Sequence, residues 1–523
     1  MIYNLAQLLE RTAGRFPEKE AFTCLNDSLT YAELDQKANQ LASYLVENGV
    51  RRGDRIGIFM NRCLDTAVAV YGILKSGGAF VALDSFLPVN RILMILEDCD
   101  IKHIVSTPSQ SRKLKAISDA APIIKSIIGL SNEFDTVTVS WASIFSRSLN
   151  SFSPPKILEL DLASILYTSG STGIPKGIMH SHHNILGLAR LEAELHNSDE
   201  HDRIGNFAPL HFDQSLFGYF SGPLVGATTV IFPDSYVKLP ASLSALVAKE
   251  KITLWFSVPL ILLQVLEQGD IENKDFSALR LVRFGGEVFP VKQLRALMMK
   301  WPHVKFINSY GPSELFRCTY YVLKEPPKTD DPIPLGTVWG NTEYKILDEH
   351  DGEVAIGEPG ELVVRTAILM MGYWNDIERT QKSFFKIKKA TGYDHVYYRT
   401  GDMVRENTQK ELFFLGRNDR QIKLRGYRIE LDEIEAVLLT NNAVKAAAVI
   451  MMQKDADSRT LEAVVNLEDT MEYSTEDLIR YCKDRLPPYS VPERITILKD
   501  LPRTATGKID RPQIIKSLET TSL

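Results

Sequence analysis

The sequence YTSGSTGIPKG occupies residues 167–177 and directly follows the apolar run ASIL. Apart from three residues, the stretch consists of Gly, Ser, Thr and Lys. Such a loop lets backbone N–H groups approach phosphate oxygens, while hydroxyls and a lysine supply further donors. Taken alone, a Gly-rich stretch of this kind favours an ordinary Ser/Gly surface loop. Gly177, and not Ser or Thr, follows Lys176, so the pattern is not a Walker A motif and a P-loop NTPase is disfavoured.

Length and composition predict a globular protein with more than one lobe. The chain has 523 residues, of which 44% are apolar and 24% are charged. Chains of this length usually divide into two or more lobes. The formal net charge of -6 argues against a nucleic-acid-binding protein, which normally carries an excess of basic residues. No apolar stretch reaches the roughly 20 residues that a membrane helix needs.

Cysteine usage and the amino terminus predict a cytoplasmic protein. The five cysteines are far apart and form no CxxC pair, as is usual in a reducing compartment. The first residues lack the pattern of a signal peptide and predict an amphipathic helix with Leu5, Leu8 and Leu9 on one face. A metal site at the histidine cluster 180–183 is not expected, because no further His or Cys lies at ligand spacing.

The order of apolar and polar segments predicts an α/β fold. Short apolar strands alternate with helices through most of the chain, for example RIGIFM at 55–60 and RLVRFGG at 280–286. From about Pro334 short strands and turns predominate, and after GRNDRQIKLRG at 416–426 a compact α+β pattern of about a hundred residues follows. We therefore predict a large N-terminal lobe of two packed α/β subdomains plus a β-rich subdomain, and a small α+β C-terminal domain.

The motifs of the chain, taken together, resemble those of the adenylate-forming superfamily, which contains acyl-CoA synthetases, luciferases and the adenylation domains of peptide synthetases. The resemblance covers essentially the whole chain, and eight motifs follow the order found in that family. They are LTYAELDQKANQLA at residue 29, LKSGGAFVALD at 74, the loop at 167, NSYGPSE at 308, GELVVR at 360, YRTGD at 398, GRNDRQIKLRG at 416 and LPRTATGKIDR at 501.

This resemblance implies ATP and Mg²⁺ as cofactors. It places Tyr310 against the adenine ring, Asp402 on the ribose hydroxyls with the help of Arg417, and Glu314 on Mg²⁺, which prefers hard oxygen ligands. Lys508 would bridge the substrate carboxylate and the ribose, where a cation offsets two negative groups. The implied catalytic residues are Lys508, Glu314 and Lys176, and the implied ATP-binding residues are Thr168, Ser169, Gly170, Ser171, Thr172, Gly173, Lys176, Gly286, Glu287, Asn308, Tyr310, Gly311, Ser313, Asp402, Arg417 and Lys508.

The family also implies two domains and a second half-reaction. An adenylation core at 1–418 would be followed by a mobile C-terminal domain at 419–523, with Asp419 as the hinge. Rotation about the hinge would withdraw Lys508 and bring Gly426 to a tunnel for a phosphopantetheine thiol. Because the sequence holds no carrier segment with a phosphopantetheine serine, we expect a stand-alone enzyme whose carrier protein is supplied in trans.

Asp213 predicts the class of acid that is activated. Amino-acid-activating members of the family carry an Asp directly after a Phe here, and its carboxylate pairs with the substrate α-ammonium. A buried unpaired carboxylate would be costly, which favours a cationic partner. The alternative is an Asp that caps the following helix. The residues that match the family's substrate pocket are Asp213, Gln214, Phe217, Phe256, Arg283, Gly285, Ser309, Arg317 and Cys318, with Lys508 closing the site.

Arg283 and Arg317 are unusual in this pocket, where most relatives place aliphatic residues. Buried guanidinium groups need anionic partners. One candidate is a second carboxylate on the substrate, which would favour aspartate, glutamate or a similar amino acid. Another is a protein carboxylate such as Glu287, and a further alternative is that one of the arginines points out of the pocket.

The sequence therefore predicts an AMP-forming amino acid–carrier protein ligase, of the kind used in nonribosomal peptide and antibiotic biosynthesis. A ligase for D-alanine or another small neutral amino acid is one alternative, because FGGEVFP at 284–290 resembles that group. An acyl- or aryl-CoA synthetase is another. A non-catalytic nucleotide sensor is disfavoured, because Lys176, Glu314, Asp402 and Lys508 are all intact.

Overall fold

A computed structural model of the chain describes residues 2–131, 134–150, 152–170, 174–389, 392–455, 458–468, 473–503 and 509–521. The chain divides into two compact units. The larger consists of Met1–Ser85, Leu96–Tyr167 and Gly177–Asn418, and the smaller of Phe86–Ile95, Thr168–Lys176 and Asp419–Leu523. Two short segments from the N-terminal part of the chain thus group with the C-terminal part. The predicted mixed α/β class is confirmed.

The first sheet of the larger unit has nine strands among the described residues. Neighbouring strands from Lys305–Tyr310 to Glu20–Cys24 run parallel, and antiparallel strands lie at both edges. Because side chains at the carboxyl ends of parallel strands converge at one edge of a sheet, this sheet can build a binding site there. Its strand order is Thr337–Val338, Thr319–Leu323, Lys305–Tyr310, Leu281–Gly285, Leu254–Ser257, Arg203–Asn206, Thr228–Ile231, Glu20–Cys24 and Asp27–Thr30.

The second sheet has eight strands in the part of the chain that the structure describes. The strand Leu162–Thr168 and its partner Lys176–Ser181 flank the predicted phosphate loop. Tyr373 pairs with Ile178 in antiparallel register. The strand order is Gly372–Tyr373, Lys176–Ser181, Leu162–Thr168, Ala79–Ala82, Arg55–Phe59, His103–Ser106, Ser126–Ile128 and Val137–Val139.

A third, antiparallel sheet corresponds to the β-rich subdomain expected from about Pro334. Its order is Thr342–Leu347, Pro359–Thr366, Asp394–Glu406 and Phe384–Lys388, and Leu412–Arg417 also pairs with Asp394–Glu406.

Helices cover the sheets of the larger unit. Leu5–Arg15 is the predicted amphipathic helix, and Leu5, Leu8 and Leu9 are fully buried on its inner face. The further helices of this unit are Tyr31–Glu47, Leu64–Lys75, Ser111–Ala120, Trp141–Phe145, His182–His196, Gly222–Val225, Asp234–Val237, Pro240–Lys249, Pro259–Gln268, Val291–Lys300 and Ile377–Lys382, with 3₁₀ turns at Pro108–Gln110, Asp213–Ser215 and Ile271–Asn273 and a π turn at Phe217–Ser221. The helix Val89–Asp98 belongs up to Ile95 to the smaller unit. None of the helices in the described residues is long and apolar enough to cross a membrane.

The C-terminal part of the smaller unit has the predicted α+β pattern. It combines the hairpin Gln421–Leu424 and Tyr427–Glu430, the sheet Val444–Asp455, Ser458–Leu467 and Arg494–Ile497, the helices Leu431–Leu439, Thr475–Lys483 and Arg511–Thr521, and the 3₁₀ turn Pro488–Ser490. Its apolar core includes Ile434, Val449 and Leu478, all fully buried.

Candidate active site

The predicted substrate pocket lies at the parallel strands of the nine-stranded sheet. Phe256, Arg283 and Ile307 are register partners on three successive strands, so their side chains share one face. The Arg283 guanidinium carbon lies 3.8 Å from the ring centroid of Phe256 and 5.4 Å from that of Phe217. All four side chains are buried, and three of them were expected in the pocket.

Arg283 has a protein carboxylate as its partner. Its Nη2 donates to Glu192 Oε1 at 2.6 Å, and both side chains are nearly inaccessible. Glu192 Oε2 also accepts a hydrogen bond from Ser221 at 2.8 Å. His196 Nε2 lies 3.2 Å from Arg283 Nη1, and burial holds the pKa of His196 well below its usual range, so the neutral ring accepts this bond. Burial likewise lowers the pKa of Arg283 to about 10, and the group stays a cation.

Arg317 also has a protein partner, the carboxylate of Asp213. Arg317 Nη1 donates to Asp213 Oδ2, and Ser313 Oγ donates to Asp213 Oδ1 at 3.4 Å. The 3₁₀ turn Asp213–Ser215 has Phe212 at its N-cap position and no side-chain cap hydrogen bond. The capping alternative for Asp213 is therefore wrong.

These two ion pairs correct the argument for an acidic substrate. Each arginine is neutralised within the protein, by Glu192 and Asp213 respectively. Glu287, the protein partner considered from the sequence, accepts instead from the backbone N–H of Leu260 at 3.2 Å. A second substrate carboxylate is not needed to balance the pocket.

The other residues predicted for the substrate pocket are small or polar. A Cβ at Gly285 would lie 2.2 Å from the Ser309 carbonyl oxygen, so only glycine fits beside that strand. Gln214 lies near Gly286, whose φ is +95°. Cys318 is fully buried, and its Sγ donates to the Tyr310 carbonyl oxygen at 3.6 Å.

The residues predicted to hold the nucleoside form one hydrogen-bonded cluster. The Tyr310 hydroxyl donates to Asp402 Oδ2, and Arg417 Nη1 donates to Asp402 Oδ1 at 2.6 Å. Burial, followed by the charge of Asp402, raises the pKa of Tyr310 well above its usual value, so the phenol is a donor. A carboxylate has about four lone-pair sites, so Asp402 can still accept from ribose hydroxyls. Asn308 Nδ2 donates to the Pro334 carbonyl at 2.8 Å, which fixes its amide.

Glu314, the predicted Mg²⁺ ligand, is fully buried in the same unit. Its Oε1 accepts a hydrogen bond from the Tyr373 hydroxyl at 2.7 Å. His180 lies nearby, stacked on Phe316 at 4.0 Å between ring centroids, and burial lowers its pKa to about 3. The described residues hold no group of three or more His, Cys, Asp or Glu that could bind a metal alone. One hard carboxylate fits a Mg²⁺ ion that takes its other ligands from phosphate and water.

The stem of the phosphate loop is fixed by distant parts of the larger unit. The Tyr167 hydroxyl donates to Asp98 Oδ2, and Cys99 Sγ lies 3.1 Å from the same hydroxyl. The Trp374 indole and the Asn375 amide donate to the Asp98 carbonyl oxygen at 2.9 and 3.0 Å. These hydrogen bonds therefore hold Tyr167, the residue at which the loop begins, in a fixed position.

The described part of the phosphate loop lies in the smaller unit. Ser169 Oγ donates to the Arg428 carbonyl at 2.8 Å, and Lys176 Nζ lies 3.7 Å from Glu430 Oε1. Within the described residues the buried Thr168 hydroxyl has no hydrogen-bond partner, so it is available to a phosphate oxygen. Four predicted residues, Ser171, Thr172, Gly173 and Lys508, lie outside the described residues.

The local backbone conformation explains why residue 426 is a glycine. It forms the two-residue turn of the hairpin 421–430 together with Arg425, and the φ angles are +55° for Arg425 and +79° for Gly426. Two positive φ angles are typical of a type I′ turn, which favours glycine. Asp419 Oδ1 accepts from the backbone N–H of Gln421 at 3.1 Å. The tunnel and hinge roles of these residues stay predictions.

Sequence reasoning missed Glu192, His196 and Tyr373. The helix His182–His196 buries Leu188, Ala189, Glu192 and His196 on one face. A glutamate on that buried face was the available signal, because buried carboxylates are normally paired. No comparable signal marks Tyr373.

Comparisons with known proteins place this geometry in a family. A model described as AMP-binding enzyme matches residues 9–374, and one described as AMP-binding enzyme C-terminal domain matches residues 433–508. The chain is 31% identical over 518 residues to an L-proline--[L-prolyl-carrier protein] ligase of Pseudomonas fluorescens, covering 98% of this chain and 99% of that protein. Gramicidin S synthase 1 of Brevibacillus brevis is 32% identical over 514 residues, 98% of this chain and 44% of the synthase. This chain thus spans less than half of that synthase.

Solved structures show the same fold. The amide bond synthetase McbA from Marinactinospora thermotolerans superposes with a TM-score of 0.86 at 22% identity, covering 98% of this chain and 99% of that one. An NRPS protein containing adenylation and PCP domains, bound to a vinylsulfonamide inhibitor, superposes with a TM-score of 0.82 at 25% identity. The match covers 98% of this chain and 84% of that one. The first likeness bears on the fold alone.

Proposed function

The chain belongs to the AMP-binding enzyme family, and from this premise we propose that it is a ligase that activates an amino acid with ATP and loads it onto a carrier protein. The amino acid carboxylate would displace pyrophosphate from ATP to give an aminoacyl-adenylate, and a phosphopantetheine thiol would then take the aminoacyl group. Support comes from the proline–carrier protein ligase that aligns over nearly its full length.

The buried carboxylate of Asp213 is the observation that carries the proposal. It lies in the turn that follows the strand Arg203–Asn206 and is only 10% exposed. A carboxylate in such a position needs a cation beside it. Arg317 supplies one within the protein, and the α-ammonium of an amino acid would supply another. A fatty or aryl acid would favour an apolar residue at this position.

The nucleotide-binding roles follow from the chemistry of the residues. Asp402, oriented by Tyr310 and Arg417, would accept the ribose hydroxyls. Lys176 and Lys508 would supply positive charge at the phosphates and at the reacting carboxylate, where negative charge accumulates. Mg²⁺, held by Glu314, would supply further positive charge at the phosphate oxygens.

The second half-reaction would use the C-terminal domain 419–523. We propose that rotation about Asp419 withdraws Lys508 after adenylation and presents the hairpin turn at Gly426 to the carrier thiol. A hinge of this kind confines the change to a few residues. The hydrogen bond from Gln421 to Asp419 begins the hairpin directly after the hinge.

The proposal carries no preference for an acidic side chain. Arg283 and Arg317 are balanced by Glu192 and Asp213, and Phe217 and Phe256 line the same region.

Amino-acid-dependent pyrophosphate exchange tests the proposal. The assay covers all standard and several non-proteinogenic amino acids, with a holo carrier protein and free CoA as alternative acceptors. We expect one amino acid to be strongly preferred and transferred to the carrier. Asp213→Ala should raise the KM for that amino acid at least about tenfold, because hydrogen bonds to a charged group contribute about 1.5–3 kcal/mol. The KM for ATP should stay the same. Exchange with no amino acid would reject the proposal.

An acyl- or aryl-CoA synthetase is the second candidate, and one observation favours it. Asp213 already has a cationic partner in Arg317, so the pocket is neutral without an ammonium group. Preference for an acid that lacks an amino group, together with transfer to free CoA, would select this alternative.

A further inference from the structure

The salt bridge between Asp213 and Arg317 raises a question about substrate binding. Both side chains are nearly buried, with exposed fractions of 10% and 6%. Among the described residues, the other nearby cation, Arg283, is directed to Glu192. Arg317 is therefore the group that neutralises Asp213 when the pocket holds no substrate. An incoming ammonium group meets a carboxylate that is already paired.

We propose that Arg317 is an internal counter-ion of Asp213 that the substrate ammonium displaces, so that it sets how strongly the enzyme selects acids with an amino group. The inference rests on the proposed amino acid activation at this pocket. A buried carboxylate without a partner is costly, so Arg317 stabilises the empty pocket. The ion pair between Arg317 and Asp213 also competes with the substrate ammonium. Asp213 therefore contributes less to the free energy of substrate binding than its charge suggests.

The structure provides a place for the displaced guanidinium. Arg317 Nη1 also donates to the Phe316 carbonyl oxygen, and its guanidinium carbon lies 4.9 Å from the ring centroid of Phe256. A backbone acceptor and an aromatic face can hold a cation without a carboxylate. Arg317 can therefore release Asp213 without becoming a solitary buried charge.

This role predicts the opposite effect from a role as a ligand for a substrate carboxylate. If Arg317 bound the substrate, a neutral replacement would weaken binding of the substrate. If Arg317 competes with the substrate ammonium, the same replacement leaves Asp213 for the ammonium alone, and discrimination increases.

The experiment compares the best amino acid from the exchange panel with its des-amino analogue. For wild type and Arg317→Met, the ratio of kcat/KM for the two acids is measured by adenylate formation. We expect this ratio to rise about tenfold in Arg317→Met. Without Arg317, the substrate ammonium forms its charge-assisted hydrogen bond to Asp213 without competition. The KM for ATP should change little. Because misfolding lowers both rates alike, the ratio isolates the ammonium contact.

Two further variants serve as controls. Arg317→Lys keeps a cation beside Asp213 and should keep the ratio near the wild-type value. Arg317→Gln can still donate to the Phe316 carbonyl and should raise the ratio as Met does, which keeps the test valid if the Met variant does not fold. An unchanged or smaller ratio in both neutral variants would overturn the inference while leaving amino acid activation intact. If the wild type activates no amino acid, the proposed function and this inference fail together.

Discussion

Replacing Glu192 by Gln should destabilise the larger unit strongly. Glu192 and Arg283 are paired at 2.6 Å and have exposed side-chain fractions of 2% and 1%. The substitution keeps the size of the side chain but removes the charge. With the amide oxygen toward Arg283, the amide nitrogen faces Ser221 and donates to its hydroxyl, which reverses that hydrogen bond. Among the described residues, Asp213 is the other carboxylate whose charge acts on Arg283, and Arg317 engages it.

The size of the effect follows from this burial. Removing one partner of a buried ion pair typically costs about 3–5 kcal/mol, because the other charge is left uncompensated. An amide oxygen can still accept from Arg283, so we expect a loss of about 3 kcal/mol in the free energy of unfolding.

Urea unfolding followed by tryptophan fluorescence measures this loss, because Trp255 is fully buried in the strand that carries Phe256. Glu272→Gln is the matched control, since its partner Lys300 is 48% exposed, and it should lose less than about 1 kcal/mol. The double variant Glu192→Leu, Arg283→Leu should recover most of the stability, because apolar replacement of a whole buried pair is often neutral. A loss in Glu192→Gln no larger than in Glu272→Gln, or a double variant weaker than the single one, would refute the reasoning.

Three further predictions concern the nucleotide chemistry. Lys508→Ala should slow adenylate formation by about two orders of magnitude, as loss of one preorganised charge often does. Thioester formation from preformed adenylate should be affected less, and equal losses in the two reactions would contradict the two-step assignment. Asp402→Asn should raise the KM for ATP at least about tenfold and leave the KM for the amino acid unchanged in pyrophosphate exchange, because it weakens the ribose contacts and the ion pair with Arg417 but no contact of the amino acid. A shift in both constants would contradict the role of Asp402. Glu314→Gln should raise the Mg²⁺ concentration needed for half-maximal exchange, since a neutral amide binds Mg²⁺ less well than a carboxylate, and an unchanged Mg²⁺ titration would count against that ligand.

Sequence patterns were sufficient for most local structure. The expected strand at 280–286 is found at Leu281–Gly285, and the one at 55–60 at Arg55–Phe59. Alternating apolar segments and turn residues are properties of neighbouring residues, so a single sequence displays them directly. The order of the strands within each sheet is not a property of neighbouring residues, so the sequence does not show it directly.

The electrostatic partners in the pocket could not be predicted. Arg283 is 91 residues from Glu192, and Arg317 is 104 residues from Asp213. Which carboxylate meets which guanidinium depends on how the helix His182–His196 packs on the sheet, and residue type alone does not specify that packing. The acidic-substrate hypothesis arose from this gap.

The pairing of Tyr373 with Ile178 has a consequence for synthesis on the ribosome. The strand Lys176–Ser181 leaves the ribosome well before Gly372–Tyr373, which pairs with it at the edge of the eight-stranded sheet. At roughly 5–20 residues per second, the roughly 200 intervening residues take roughly 10–40 s to translate. During that interval the nascent chain exposes an open strand edge, and such edges template association with other chains. The topology therefore leaves the strand Lys176–Ser181 open to such association until residues 372–373 have been translated.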